Sequence, residues 1–146
     1  MQKKLIAWAL LALLLLPTAQ AEQEFLKPDQ AFAISATATD GRSVRFNWQI
    51  ADGYYLYQSK FRFLSDTPGV TLGDPDLPPS VTKDDPIFGK VETYRDQVTI
   101  ELPLVSLPAN TEMLTLKARS QGCADAGICY PPHTQTVLVA LSQAVD

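Results

Sequence analysis

Apolar and polar positions alternate with a period of two through much of this chain. Val44, Phe46, Trp48 and Ile50 alternate with Arg45, Asn47 and Gln49, the pattern of a strand with one buried face. Asp40-Gly41 before this run and Ala51-Asp52-Gly53 after it are turn signals. The same reading predicts strands at 33–39, 54–58, 61–64, 97–104, 113–120 and 135–141. In the last three, Val98/Ile100/Leu102, Leu114/Leu116/Ala118 and Val137/Val139/Leu141 are the expected inward faces. Ten prolines after residue 21 leave few windows for a long helix, and none is predicted. About seven short strands with turn signals between them favour an all-β, antiparallel sandwich.

Two segments resist the pattern. Residues 65–90 carry Pro68, Pro75, Pro78, Pro79 and Pro86 among several Asp and Gly residues, and residues 122–132 carry both cysteines of the chain. They are expected to be long irregular loops, and such loops on a rigid scaffold often carry function.

The first 21 residues have a different character. A basic start (Lys3, Lys4) leads into an unbroken apolar run from Leu5 to Leu16, and Ala19-Gln20-Ala21 follows as an A-x-A cleavage pattern. That order marks a secretory signal peptide at 1–21, leaving one domain at 22–146. No later segment has a run of 18 apolar residues, so no membrane span is expected in the rest. Without Lys3 and Lys4, 10 basic side chains face 16 acidic ones. An acidic domain without a basic run is a poor partner for nucleic acid, whose binding rests on phosphate neutralisation. A hydrophobic content of 46% with regular patterning excludes a disordered chain.

Export also bears on Cys123 and Cys129, because an even pair outside the cytoplasm is expected to be oxidised. The plain reading is a structural staple. Three features weigh against it. A loop of about seven residues contributes only about 2.4 kcal/mol by chain entropy. A sandwich staple normally joins sequence-distant strands, and this pair cannot. Gly122, Ala124, Ala126 and Gly127 leave little bulk around the sulfurs, so an attacking thiolate can reach them. A metal site would draw on Cys123, Cys129, His133 and Met113, a thin donor set that leaves a copper-binding domain as a minor alternative. No G-x-S-x-G elbow or glycine-rich phosphate loop is present.

The segment Gln121-Gly122-Cys123-Ala124-Asp125-Ala126-Gly127-Ile128-Cys129-Tyr130-Pro131-Pro132 closely resembles the active-site segment of the N-terminal periplasmic domain of the DsbD family. These are inner-membrane thiol:disulfide interchange proteins of Gram-negative bacteria. Asp52-Gly53-Tyr54-Tyr55-Leu56-Tyr57 and Phe88-Gly89-Lys90, followed by Tyr94-Arg95-Asp96, resemble the same domain in the same order. The resemblance runs from about Pro28 to Leu141. It implies an immunoglobulin-like sandwich and a protein-disulfide reductase role. Reducing equivalents would pass from the thioredoxin-like C-terminal domain of DsbD to periplasmic thioredoxin-fold proteins, a DsbC-like isomerase and a cytochrome c maturation thioredoxin among them. Cys129 would form the mixed disulfide with each partner and Cys123 would resolve it. No cofactor or metal is implied, because the cysteine couple is itself the redox centre.

The resemblance extends to a cap. In the family a loop bearing an aromatic residue covers the disulfide, and the corresponding stretch here is 83–89. The usual aromatic position aligns with Ile87, Phe88 follows it, and Pro86 stands where an acidic residue is common. Tyr55 and Tyr57 match tyrosines near the cysteines, with one phenol expected near Cys129. Asp84, Asp85 and Asp125 are expected to disfavour a nearby thiolate if they approach it. Full-length relatives continue into a membrane domain. The implied location is the periplasm, tethered to the inner membrane where that domain belongs to the same polypeptide. The competing reading is an immunoglobulin-like adaptor with a purely structural disulfide.

Overall fold

A computed structural model describes residues 24–141, so the expected signal peptide at 1–21 lies outside the described residues. Eleven strands follow a single helical turn, α1 (Pro28–Ala31). They are β1 (Phe32–Thr39), β2 (Ser43–Ile50), β3 (Tyr54–Tyr57), β4 (Arg62–Ser65), β5 (Thr71–Leu72) and β6 (Val81–Asp85). Then come β7 (Gly89–Tyr94), β8 (Gln97–Ser106), β9 (Met113–Ser120), β10 (Gly122–Ala124) and β11 (His133–Ala140). All ladders between them are antiparallel. The fold is an antiparallel β-sandwich, as the alternation predicts, of the immunoglobulin-like kind that the resemblance implies.

One layer is β1-β2-β8-β5 and the other contains β11-β9-β4. The predicted inward residues of β2 lie opposite those of β8: Val44 faces Leu102, Phe46 faces Ile100 and Trp48 faces Val98. All six are buried. Phe63 of β4 closes the sandwich from the other layer, its ring centroid 4.8 Å from that of Phe46 and 6.1 Å from that of Trp48. In β9 Leu114, Leu116 and Ala118 are buried as expected. In β11 Val139 is buried and Val137 packs at the core's margin, as does Leu141 just past the strand.

The third sheet, β10-β3-β7-β6, holds the cysteines. It continues the β9–β4 ladder: β9 runs into β10 through Gln121, β3 runs into β4 through a 3₁₀ turn at Gln58–Lys60, and Tyr57 N–H donates to Gln121 O. β3 breaks the period-two rule because both of its faces are covered. Tyr54 and Leu56 enter the main core, while Tyr55 and Tyr57 form a second buried cluster with Cys123.

The expected long loop at 65–90 is corrected here. It contains β5, β6 and the start of β7, and Asp85 pairs with Gly89 at the tip of a β6–β7 hairpin. Polar residues hide these strands from hydrophobic patterning: Val81, Thr82 and Asp84 are exposed, and the one buried residue of β6 is Asp85. Likewise, residues 122–132 are less irregular than expected, since Gly122, Cys123 and Ala124 pair with Leu56, Tyr55 and Tyr54.

Candidate functional site

The site is built on the outer face of the β10-β3-β7-β6 sheet. Cross-strand partners share a face, so the register puts Cys123 beside Tyr55, Tyr57 beside Thr93, and Thr93 beside Val81. Two residues further along β7 and four along β6, Val91 and Asp85 project the same way. Cys123 on one edge strand and Asp85 on the other therefore converge over Tyr55 and Tyr57.

Gly122 sets the entry to β10. A Cβ there would lie 2.2 Å from Tyr55 O and 2.7 Å from Phe32 Cζ, so only glycine permits this approach. Beyond β10 the chain turns through Asp125-Ala126-Gly127, with Gly127 at φ +114° and its N–H donating to Ala124 O. The turn returns Cys129 opposite Cys123, and the two are joined as a disulfide with Cα atoms 4.0 Å apart. The two sulfur-bearing residues differ in access. Cys123 is 0% exposed, whereas Cys129 is half-buried beside exposed Asp125, Ala126 and Gly127.

Behind the disulfide lies a hydrogen-bonded cluster centred on Asp85. Its Oδ2 accepts from the hydroxyls of Tyr55 and Tyr57, each at 2.6 Å. Its Oδ1 accepts from the backbone N–H groups of Ile87 (2.8 Å) and Phe88 (3.0 Å). Burial alone would raise this carboxyl, but the four donors outweigh burial and hold it at about 2. Asp85 is thus an anion at neutral pH although only 6% exposed. The phenols respond in the opposite sense. Burial, then the Asp85 hydrogen bond, pushes Tyr55 up to about 12 and Tyr57 higher still.

The Tyr57 oxygen sits 2.9 Å from Cys123 Sγ and 4.0 Å from Cys129 Sγ. The expected phenol beside the cysteines is present, but it sits closer to Cys123 than to Cys129. A disulfide sulfur carries no proton, and the single Tyr57 proton is directed at Asp85, so an oxygen lone pair faces Sγ.

Of the two candidate cap residues, Phe88 stands edge-on to the Tyr57 ring, centroids 5.3 Å apart, and carries Lys60 Nζ 5.0 Å from its own centroid. Ile87 is 61% exposed. Not all the acidic residues approach the sulfurs. Asp84 pairs with Lys90 at 3.5 Å on the surface, and Asp125 is clamped by both terminal nitrogens of Arg95, at 2.8 and 2.9 Å. That clamp lowers the Asp125 carboxyl and raises the guanidinium. Arg95 of the Tyr94-Arg95-Asp96 motif and Lys83 at the start of the 83–89 stretch, neither given a role from the sequence, both lie over the Tyr55 ring, at 5.2 and 5.0 Å. His133 is held by Asp29, Nε2 to Oδ1 at 2.5 Å, on the side of β11.

A buried anion, two phenols and a half-accessible disulfide form one contiguous unit. The family described as "Thiol:disulfide interchange protein DsbD, N-terminal" matches residues 22–141. The chain belongs to the DsbD N-terminal domain family. Curated DsbD proteins from Ralstonia nicotianae and Escherichia coli K12 are 42% identical over 129 residues and 39% identical over 119 residues. These alignments cover 88% and 82% of the chain but 20% of each relative, so the chain spans about a fifth of the DsbD proteins it matches. The reduced DsbD N-terminal domain of Neisseria meningitidis superposes with a TM-score of 0.71 at 32% identity, covering 79% of this chain and 89% of that one. A second meningococcal structure holds the DsbD N-terminal domain in complex with the PilB N-terminal domain. It superposes with a TM-score of 0.64 at 31% identity, over 77% of this chain and 85% of the other.

Proposed function

We propose that this DsbD-type domain is a periplasmic two-electron shuttle. It takes reducing equivalents from a thioredoxin-like donor domain and passes them to thioredoxin-fold acceptors through Cys123 and Cys129. The observation that carries this reading is the unequal access to the two cysteines. Exchange needs a thiolate to approach one sulfur of a disulfide in line, and only Cys129 borders solvent.

Each half-reaction balances. The donor thiolate attacks Cys129 Sγ, the Cys123–Cys129 bond breaks, and Cys123 leaves with the electron pair and takes up a proton. A second donor thiolate then attacks the donor sulfur of the mixed disulfide and releases Cys129. Toward the acceptor, Cys129 thiolate attacks one sulfur of the partner's disulfide, and the displaced partner thiolate is protonated. Cys123 thiolate then attacks Cys129 Sγ and releases the second partner thiol. Once protonated, the Cys123 thiol can donate to the Tyr57 oxygen, whose own proton is held by Asp85. Cys129 is the partner-bound cysteine, Cys123 the resolving one, and Tyr55, Tyr57 and Asp85 hold Cys123 in place. Phe88 covers the cluster, with Ile87 beside it at the exposed tip. No cofactor is required, since both electrons reside in the sulfur couple.

The meningococcal complex between a DsbD N-terminal domain and a PilB domain supports a protein partner for this surface. A redox titration, counting free thiols by alkylation and mass, tests the proposal. A midpoint between about −180 and −270 mV, the range of exchange proteins, is expected. A midpoint below about −300 mV would instead mark a structural staple and favour the adaptor reading.

A further inference from the structure

The strands beside the redox site carry an unusual charge arrangement for so acidic a chain. Arg62 of β4 and Arg119 of β9 are direct cross-strand partners. Like charges in such a pair destabilise a sheet, and no carboxylate among the described residues pairs with either of them or with Lys60. Arg62 Nη1 instead donates to the carbonyls of Ser59 and Phe61, which holds the guanidinium on the surface with other donors free.

Two clefts flank the pair. One, of about 190 Å³, is lined by Lys60, Arg62, Arg119, Gln121 and Pro132. The other, of about 370 Å³, shares Arg62 and Arg119 and adds exposed Leu64. The first cleft is lined by residues that adjoin the redox site along the chain or through Phe88. Gln121 leads directly into β10, Pro132 lies three residues past Cys129, and Lys60 lies over Phe88, which packs on Tyr57.

We infer that the Lys60–Arg62–Arg119 cleft is the docking subsite for an acidic segment of the protein that exchanges disulfides with Cys129. This inference rests on the exchange function proposed above and specifies the partner's chemistry. Three cations without a paired carboxylate among the described residues attract carboxylates from outside, and field complementarity of this kind raises encounter rates and fixes orientation. A concave cleft lined by Gln121 and Pro132, which flank the cysteine segment in the chain, fits a protruding peptide better than a flat anionic membrane surface. The uncompensated Arg62/Arg119 pair costs the sheet stability that a docked carboxylate restores.

The test compares disulfide exchange by the reduced chain with two synthetic peptides. Each holds one internal disulfide, flanked in one by glutamates and in the other by lysines. Bis(2-hydroxyethyl) disulfide serves as the neutral control. The glutamate peptide is expected to react about tenfold faster than its lysine twin at low salt. In Arg62→Gln/Arg119→Gln that preference collapses, the neutral disulfide reacts unchanged, and the melting temperature is equal or higher because a repulsion has gone. Equal rates for the two peptides with the neutral reaction intact overturn the docking inference and leave the exchange function standing. Failure to reduce even the neutral disulfide overturns both. Binding to phosphatidylglycerol vesicles that the double variant loses, without any peptide preference, overturns the inference in favour of a membrane surface.

Discussion

The hydroxyl of Tyr57 lies 2.9 Å from Cys123 Sγ, and its proton is held by Asp85 2.6 Å away. One phenol thus joins the buried end of the disulfide to a buried carboxylate. The same carboxylate holds the backbone of the Ile87-Phe88 tip, so cap, phenols and sulfur form one hydrogen-bonded unit.

Acid sensitivity follows from Asp85. Its folded value of about 2 lies below the ordinary 3.8, so the folded state binds fewer protons and stability rises with pH across that interval. The contribution is fully present above about pH 5 and is lost as pH falls from about 4 to 2. Its size is about 2 kcal/mol, the free-energy equivalent of that difference. Urea unfolding of the oxidised chain at a series of pH values reads it. In Asp85→Asn, which keeps the shape without the charge, this acid limb flattens.

Gly122→Ala is expected to be far more damaging than an ordinary Gly-to-Ala change in a strand. The new Cβ meets backbone at Tyr55 O, which cannot swing aside as a side chain would. The β10–β3 pairing must open, at a cost of about 1–3 kcal/mol by overpacking alone. Because Cys123 follows directly, the variant's disulfide is also expected to be reduced several-fold faster by dithiothreitol.

Phe88 and Ile87 separate in the same assay. Phe88→Ala removes the ring packed on Tyr57 and is expected to speed reduction by dithiothreitol several-fold. Ile87→Ala removes an exposed side chain and is expected to leave the rate within about twofold, as exposed substitutions usually do. The reverse order would show that Ile87 is the lid.

Much of the sandwich is legible in the chain because β2, β8 and β9 each bury one face, and one-sided burial writes a period of two. The redox sheet is not legible in that way. β3 is buried on both sides, so Tyr54-Tyr55-Leu56-Tyr57 reads as an unbroken large apolar run whose two faces do different work. β6 contributes a single buried residue, Asp85, to a face otherwise lined by Lys83 and Val81. A lone aspartate in a polar, proline-flanked stretch carries no pattern, and only resemblance to a family drew attention to it. Asp84 and Asp125 are equally visible as acids, yet cations on neighbouring strands, Lys90 across the hairpin and Arg95 from β7's end, pair with them. Pairing across strands decides such cases, and it is invisible until the register is known.

Trapping tests the central claim, that Cys129 meets the partner and Cys123 resolves, most directly. Cys123→Ala and Cys129→Ala are each incubated with an oxidised thioredoxin-fold protein, and mixed disulfides are identified by mass. The account predicts a stable adduct through Cys129 in Cys123→Ala and none in Cys129→Ala, whose remaining sulfur is enclosed by Tyr55 and Tyr57. An adduct through Cys123 alone, or no adduct in either variant, would contradict it.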